Sequence, residues 1–143
     1  MLDCSNNIRQ CYVNLLEGNV IYNGSAVAVY GQTPFVTTPP IYIMIGSVNE
    51  VADNNNQQFV TDADIDVNII VEQYRQPDLS VVDAISSLVL NLILPSTGIQ
   101  DVGDASFQIF PLSRISSRYL PLDNGDLYIT RKILTINNSI IQK

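Results

Sequence analysis

The sequence predicts an α+β fold, a mostly antiparallel β-sheet with two α-helices packed on one face. Two segments carry apolar residues at helical spacing, and several others carry them at strand spacing or in short unbroken runs. Two Asn-Gly pairs lie between extended segments, where tight hairpin turns are expected. Strands grouped beside only two helices favour this class over regular strand and helix alternation. At 143 residues the chain is expected to form one domain over residues 1–143.

The first predicted helix begins near the start of the chain. Asp3 or Ser5 can cap it, and Gly18 is a natural stop. Its apolar positions are Ile8, Cys11, Tyr12, Leu15 and Leu16. Cys4 and Cys11 would lie about 10 Å apart along this helix, too far for a disulfide. Buried reduced thiols are therefore expected, with an exposed redox pair as the alternative.

A β-hairpin and a loop follow the first helix. Residues 19–31 place two apolar runs around Asn23 and Gly24, which suit the positive φ angles of a two-residue turn. Residues 32–40, "QTPFVTTPP", contain three prolines that cannot donate to a strand ladder. An ordered surface loop is therefore predicted there.

The next two segments differ sharply in polarity. Residues 41–47, "IYIMIGS", carry no charge and predict a central strand in which Ile43 and Ile45 are buried. Residues 49–58, "NEVADNNNQQ", are polar and predict a loop or a mobile arm.

Strict alternation between residues 59 and 74 predicts the clearest long strand of the chain. Its apolar positions are Ala63, Ile65, Val67, Ile69 and Val71. Its polar positions are Asp62, Asp64, Asp66, Asn68 and Glu72. The polar side must face water or a partner. The four carboxylates are also candidate ligands for Mg²⁺ or Ca²⁺, although a hydrated strand face is the simpler interpretation.

A second helix and a second hairpin complete the chain. Pro77 and Asp78 suit the first turn of the helix, and Pro95 ends it. Its apolar face comprises Val82, Ile85, Leu88, Val89 and Leu92. Two extended segments then flank a turn at Asn124 and Gly125.

The last strand changes its apolar phase, which predicts a bulge near Arg131 and Lys132. Arg114, Arg118 and Arg131 form either a basic rim on this hairpin or ordinary surface ion pairs.

The composition argues against most kinds of chemistry. The chain has no histidine and two cysteines, so His-dependent catalytic sets, His-ligated zinc and four-thiolate sites are excluded. No Gly-rich phosphate motif is present. With 14 acidic and 7 basic residues, tight DNA binding is not expected. Neither a signal peptide nor a membrane span is indicated, so no membrane partner and synthesis in the cytoplasm are expected.

A protein of this kind is expected to work by contact rather than by catalysis or with a cofactor. Binding residues usually lie on long loops held by rigid strands. The two polar or proline-rich loops therefore supply the candidate interaction residues, which are Pro34, Phe35, Pro39, Pro40, Asn54, Asn55 and Asn56.

Several segments together resemble one family of structural proteins. They are the first helix ending near Gly18, "VIYNGSAVAVYGQTP", "PPIYIMIGS", the long strand, "VVDAISSLVLNLIL" and "YLPLDNGDLYITRKILTIN". In this order they are similar to the tail terminator, or tail completion, proteins of long-tailed bacteriophages. The resemblance covers most of the chain. The Asn/Gln-rich residues 54–58 and the acidic strand depart from the family pattern.

The resemblance implies a virion protein that forms a ring, typically a hexamer, on the head-proximal end of the tail tube. The ring stops tube polymerisation and offers a surface to the head-tail connector protein. In such a ring Asp62, Asp64 and Asp66 would be repeated around the axis. They could line a channel through which DNA passes without specific binding, because carboxylates repel phosphate. The alternatives are a neck subunit on the portal side and a carboxylate-metal enzyme.

Overall fold

The computed structural model describes residues 3–31, 37–53, 60–74, 78–124 and 127–143, with the backbone alone at 51–53, 114 and 121–124. In chain order the elements are α1 (Ser5–Leu16), β1 (Ile21–Tyr22), β2 (Ser25–Ala26), β3 (Ala28–Tyr30), β4 (Ile41–Asp53), β5 (Val60–Gln73), α2 (Leu79–Ile93), β6 (Phe107–Asn124) and β7 (Leu127–Gln142). Within the described ranges, neither helix has the length and apolar character needed to cross a bilayer.

The main sheet has five strands in the order β3-β4-β5-β7-β6. All neighbours pair antiparallel except β3 and β4, which are parallel. Helix α1 packs against β3 and β4, α2 packs against β5 and β7, and the two helices touch each other. The predicted α+β class, with both helices on one face of a mostly antiparallel sheet, is therefore confirmed. We call the helix side the covered face and the opposite side the open face.

Both helices lie where their sequences predict them. The N-cap residue of α1 is Cys4, however, rather than Asp3 or Ser5. Pro77 lies outside the described residues. The Asp3 carboxylate accepts the N–H of Ser5 at 2.9 Å, and Asp78 caps α2 by accepting the N–H of Ser80 at 2.9 Å. Gly18 has φ +75° just after α1, a conformation that glycine adopts at little cost. The predicted first hairpin is also present, and Asn23 and Gly24 both have positive φ.

The covered face holds the hydrophobic core. Strand β5 contributes every second residue to it, as the strict alternation predicted. Ile43 and Ile45 of β4 are 0% and 2% exposed, so the prediction that they are buried is confirmed. Cys4, just before α1, and Cys11 in it are buried free thiols, as expected.

One polar network lies inside this core. The Tyr12 hydroxyl donates to the side-chain oxygen of Asn138, and both residues are 0% exposed. The Asn138 amide nitrogen donates to the carbonyl oxygens of Ala63, at 3.2 Å, and Ile136, at 3.0 Å. Every polar atom of the two side chains therefore has a partner, which burial requires.

Strand β4 is longer than predicted. Residues 49–53, expected to begin a loop, pair with β5 through to Asp53 opposite Val60. A register shift between Ile45 and Val48 changes which residues face the core, so the alternation is broken in the sequence. Residues 54–58 lie outside the described residues.

The predicted bulge near Arg131 and Lys132 is wrong. Strand β7 pairs with β5 without interruption, and the irregularity lies in β6, between Pro111 and Ile115. The apolar phase changes because β7 buries residues on both faces. Ile133 is 5% exposed on the open face, while Leu134 is 1% exposed on the covered face.

Candidate functional site: the open face of the sheet

The open face carries the acidic residues of β5. Because side chains alternate across a strand, burial of the odd-numbered residues against the helices places Asp62, Asp64 and Asp66 on the opposite side. Neighbouring carboxylates in this row are about 7 Å apart along the strand. Asp62 is exposed, and Asp64 and Asp66 are half-buried. The sequence therefore predicted correctly that the three lie together on one face.

Hydrogen bonds from β4 and β7 hold two of the three carboxylates. Asp66 accepts from the Thr135 hydroxyl at 2.7 Å and from the Ser47 hydroxyl at 3.2 Å. Asp64 accepts from the Asn137 amide at 2.8 Å. Their orientation is fixed by neutral donors, so these carboxylates keep their negative charge uncompensated by a cation at these contacts.

A shallow depression opens beside this acidic row. It has a volume of about 350 Å³ and is lined by Asp64, Ile115, Ser116, Thr135 and Asn137. The depression lies where β6 is irregular, between Pro111 and Ile115, so the sheet surface is locally uneven there.

The other end of the open face has a different character. Asn68, 4% exposed, accepts from the Arg131 guanidinium at 3.0 Å and donates to the Met44 carbonyl oxygen at 3.2 Å. A Cβ on Gly46 would lie 2.7 Å from the Asn68 amide nitrogen, so glycine makes room for this side chain. Tyr30 and Tyr42 pack edge to face, with ring centroids 5.8 Å apart.

The open face therefore differs in character between its two ends, along the direction of the strands. Its acidic end carries Asp62, Asp64 and Asp66, and its other end carries aromatic and apolar side chains with the cations Arg118 and Arg131. The acidic end can repel anions, whereas at the other end the charges of Arg118 and Arg131 share the face with the Glu72 carboxylate.

The acidic residues do not converge as metal ligands would. Glu72 lies six residues beyond Asp66 on β5, or about 20 Å along an extended strand. Within the described ranges, no group of three or more His, Cys, Asp or Glu side chains is placed to hold a metal ion.

The structure places the predicted loop residues only in part. Pro39 and Pro40 are exposed and lead directly into β4, and the Pro40 carbonyl oxygen accepts the N–H of Glu72 at 2.8 Å. They lie at the end of the sheet away from Asp62. Pro34, Phe35, Asn54, Asn55 and Asn56 lie outside the described residues.

Sequence reasoning missed the partners of the acidic row. Ser47, Thr135 and Asn137 were not singled out, although each bonds a carboxylate of β5. Period-two alternation in β7 could have placed Thr135 and Asn137 on one face, but the neighbour of β7 in the sheet had to be known first.

Two of the three comparisons with known proteins found no match: no family model and no curated protein matches the chain. Among solved structures, it is similar to a chain in the virion of a native gene transfer agent (GTA) particle. The TM-score is 0.66, with 12% sequence identity and 96% of each chain covered. This match shows the fold. It covers nearly the whole of both chains, so the likeness is not confined to one supersecondary unit.

Proposed function

We propose that this chain is a structural subunit of a phage-like virion. In this role it forms a ring at the head-proximal end of the tail tube, ends tube polymerisation and joins the tail to the head connector. The observation that carries the proposal is the fold shared with a chain of the GTA virion over 96% of both chains. The resemblance of the sequence to tail terminator proteins gives the finer assignment.

The open face supports a role in contact rather than catalysis. Its carboxylates are held apart along one strand, and two of them bond neutral side chains. The chain has no histidine to serve as a general base. Both described helices pack on the other face, so the acidic end of the open face is suited to line a channel or to meet another protein.

We place the acidic row on the channel wall of the ring. DNA must move through a tail channel without stalling, and repeated carboxylates repel its phosphates. Asp62, Asp64 and Asp66 lie on the face opposite the helices, so a ring with the open faces inward would present all three from every copy. The helices would then form the outer layer.

The direct test is a phage in which the gene for this chain is deleted and then supplied from a plasmid. We expect overlong tail tubes without heads in the deletion strain, and normal particles after complementation. Electron microscopy of the particles measures both tube length and head attachment.

The same experiment separates the tail terminator from the neck subunit. Loss of a neck protein leaves tube length unchanged, because termination occurs before the head joins. Tails of normal length that fail to join heads would therefore contradict the terminator role. Infectious particles of normal yield would contradict the virion role altogether.

A further inference from the structure

Strand β6 lies at one edge of the sheet, and the two halves of its outer side differ in their backbone hydrogen bonds. Along the first half, the N–H of Val102 donates to the Ile109 carbonyl oxygen at 2.8 Å and that of Asp104 to Phe107 at 3.0 Å. The Asp101 and Asp104 carboxylates accept the N–H groups of Ile109 and Phe107, both at 2.9 Å. Along the second half, from Ile115 to Leu120, no backbone partner lies on the outer side within the described residues.

The backbone hydrogen bonds between β6 and β7 show which N–H and C=O groups of residues 115–120 point away from the sheet. In an antiparallel pair of strands, residues opposite one another alternate between two kinds of pair. In one kind the backbone N–H and C=O groups bond each other, and in the other they point away from the partner strand. Phe107 and Ile109 point outward and lie opposite even-numbered residues of β7. Ile115, Ser117 and Tyr119 also lie opposite even-numbered residues of β7. Their N–H and C=O groups therefore point outward as well.

Within the described ranges, β3 at the opposite edge of the sheet also has no backbone partner on its outer side. On β5, Glu72 donates its N–H to Pro40, so even-numbered residues of β5 bond β4. Their partners in this part of β4, Tyr42 and Met44, are also even-numbered. The backbone groups of Ile43, which lies between them, therefore point toward β3. In a parallel pair Ile43 bonds the residues on either side of its partner Val29. The N–H and C=O of Val29 therefore point away from the sheet.

The two open edges lie at the same level. Reading across the sheet, Val29 lies opposite Ile43, then Ile69, then Lys132, then Tyr119. The strand directions also match, because β3 runs antiparallel to β6. Among the residues that the structure describes, each copy thus has unpaired backbone groups at Tyr119 on one edge and at Val29 on the other.

We propose that β6 of one copy pairs antiparallel with β3 of the next copy, Tyr119 opposite Val29, so that the sheets of neighbouring copies become continuous. This contact is head to tail, and head-to-tail contacts close into rings when the rotation allows. It rests on the proposed function only in its expectation of a ring, and it names the surfaces through which the ring forms.

We call this contact between β6 of one copy and β3 of the next the joint, and the side chains that would meet there are complementary. The register brings Leu120 opposite the neighbour's Ala28 and Arg118 opposite the neighbour's Tyr30 on the open face. A guanidinium over an aromatic ring is attractive, and Leu with Ala buries apolar surface. On the covered face, Tyr119 lies opposite Val29, whose side chain is already buried in the core of its own copy.

Unused apolar surface along β6 supports the same joint. Tyr119 and Leu120 are 41% and 47% exposed, and Ala28 and Tyr30 of β3 are half-buried. Tyr119 is also held in place, because its hydroxyl donates to Asp83, which Lys132 contacts at 2.9 Å. These two hydrogen bonds lower the pKa of Asp83, so its carboxylate stays charged and keeps both partners.

Cysteine cross-linking tests the register. Arg118 and the neighbour's Tyr30 would form a pair that does not share backbone bonds, with Cα atoms about 4.5 Å apart, within disulfide reach. We expect the double variant Arg118→Cys with Tyr30→Cys to give, on oxidation, a ladder of covalent oligomers that ends in one closed species. Each single variant should give no ladder, and neither should Arg118→Cys with Ser25→Cys, which places the second thiol on the exposed β1–β2 hairpin.

A proline substitution tests the backbone bonds. The Ser117 N–H points outward and its side chain is exposed, so Ser117→Pro should leave the monomer fold and melting temperature unchanged. In the proposed register the Ser117 N–H faces the backbone of the neighbour's Gly31, the residue that directly follows β3. Proline removes this donor at the end of the joint, and we expect the dissociation constant of assembly to rise about tenfold per contact. Ser117→Ala keeps the N–H and should assemble like the parent. Native mass spectrometry over a concentration series measures assembly.

The possible results separate this joint from the proposed function. No ladder above the controls, or full assembly of Ser117→Pro, would overturn the joint. A parent chain that stays monomeric at the highest soluble concentration would overturn it too. If any of these held while the deletion phage still made overlong tubes, the terminator role would stand without this interface. A ladder together with tails of normal length would uphold the joint and reject that role.

Discussion

The two faces of the main sheet are stabilised in different ways. On the covered face, β5 places five residues that are 2% exposed or less against the helices. On the open face the same strand carries three carboxylates, and donors on β4 and β7 bond two of them. The comparison teaches that the covered face supplies the stability of the fold. The open face is thereby left available for contacts with other molecules.

Truncation of the covered face should have the largest effect. We expect Ile43→Ala and Ile45→Ala each to lower the free energy of unfolding by about 2 to 5 kcal/mol, since both leave a cavity in a packed core. Ile129→Ala, at a half-buried position of the open face, should cost about 1 kcal/mol. Urea unfolding measures all three. The assignment of β4 to the core would be wrong if both core variants stayed within roughly 0.5 kcal/mol of the parent.

Two consecutive asparagines provide a matched test of polar groups on the two faces. Asn138→Ala leaves the buried Tyr12 hydroxyl without its acceptor and removes two side-chain bonds to backbone carbonyl oxygens, so it should cost about 1 to 3 kcal/mol. Asn137→Ala removes one half-exposed bond to Asp64 and should cost about 0.5 kcal/mol or less. Equal losses of stability, measured by urea unfolding, would contradict the division of roles between the faces.

The covered face should also make the fold sensitive to alkali. Burial is the main cause that raises the pKa of Cys4 to about 12 and of Cys11 to about 11, and it raises the pKa of Tyr12 as well. Unfolded thiols lose their protons near pH 8.5. Stability contributed by the two thiols is therefore complete below about pH 8.5 and is lost as the pH rises toward the folded pKa values of about 11 and 12.

Two measurements check this. Urea midpoints should fall over that pH range, and a thiol reagent at pH 8 should label the native chain far more slowly than the urea-unfolded chain. Rapid labelling of both cysteines in the native chain would place α1 away from the sheet.

Neutralising the acidic row should have the smallest effect on stability, and its main effect should be on the interaction with DNA. The variant Asp62→Asn, Asp64→Asn, Asp66→Asn keeps the acceptor oxygens for Thr135 and Asn137, so the free energy of unfolding should change by less than about 1 kcal/mol. If the row lines a channel, rings of this variant should gain salt-sensitive affinity for DNA, and DNA ejection from virions should slow. Unchanged DNA affinity and ejection would place these carboxylates elsewhere on the ring.

Local patterns were enough to predict most of the elements. Helices α1 and α2 each show helical spacing, β5 alternates with Ile70 as the one interruption, and the first hairpin has its Asn-Gly turn; the structure has all of them. The extension of β4 to Asp53 and the continuity of β7 could not be predicted in this way. In β4 a register shift hides the alternation, and in β7 apolar residues lie on both faces.

The candidate site was predictable only in its acidic half. Alternation alone put Asp62, Asp64 and Asp66 on one side of β5. Their partners lie far along the chain, and the bond from Asn137 to Asp64 spans 73 positions. Strand order and the open edges of β3 and β6 are properties of the assembled sheet, so a local pattern does not carry them.

The most direct test of the central claim is a cryo-electron microscopy map of the protein assembled on tail tubes. We predict a closed ring in which the sheets of neighbouring copies are continuous from β6 to β3, with Asp62, Asp64 and Asp66 facing the channel and the two helices outside. A ring with the helices facing the channel, or a protein that stays monomeric in the presence of tubes, would contradict the account.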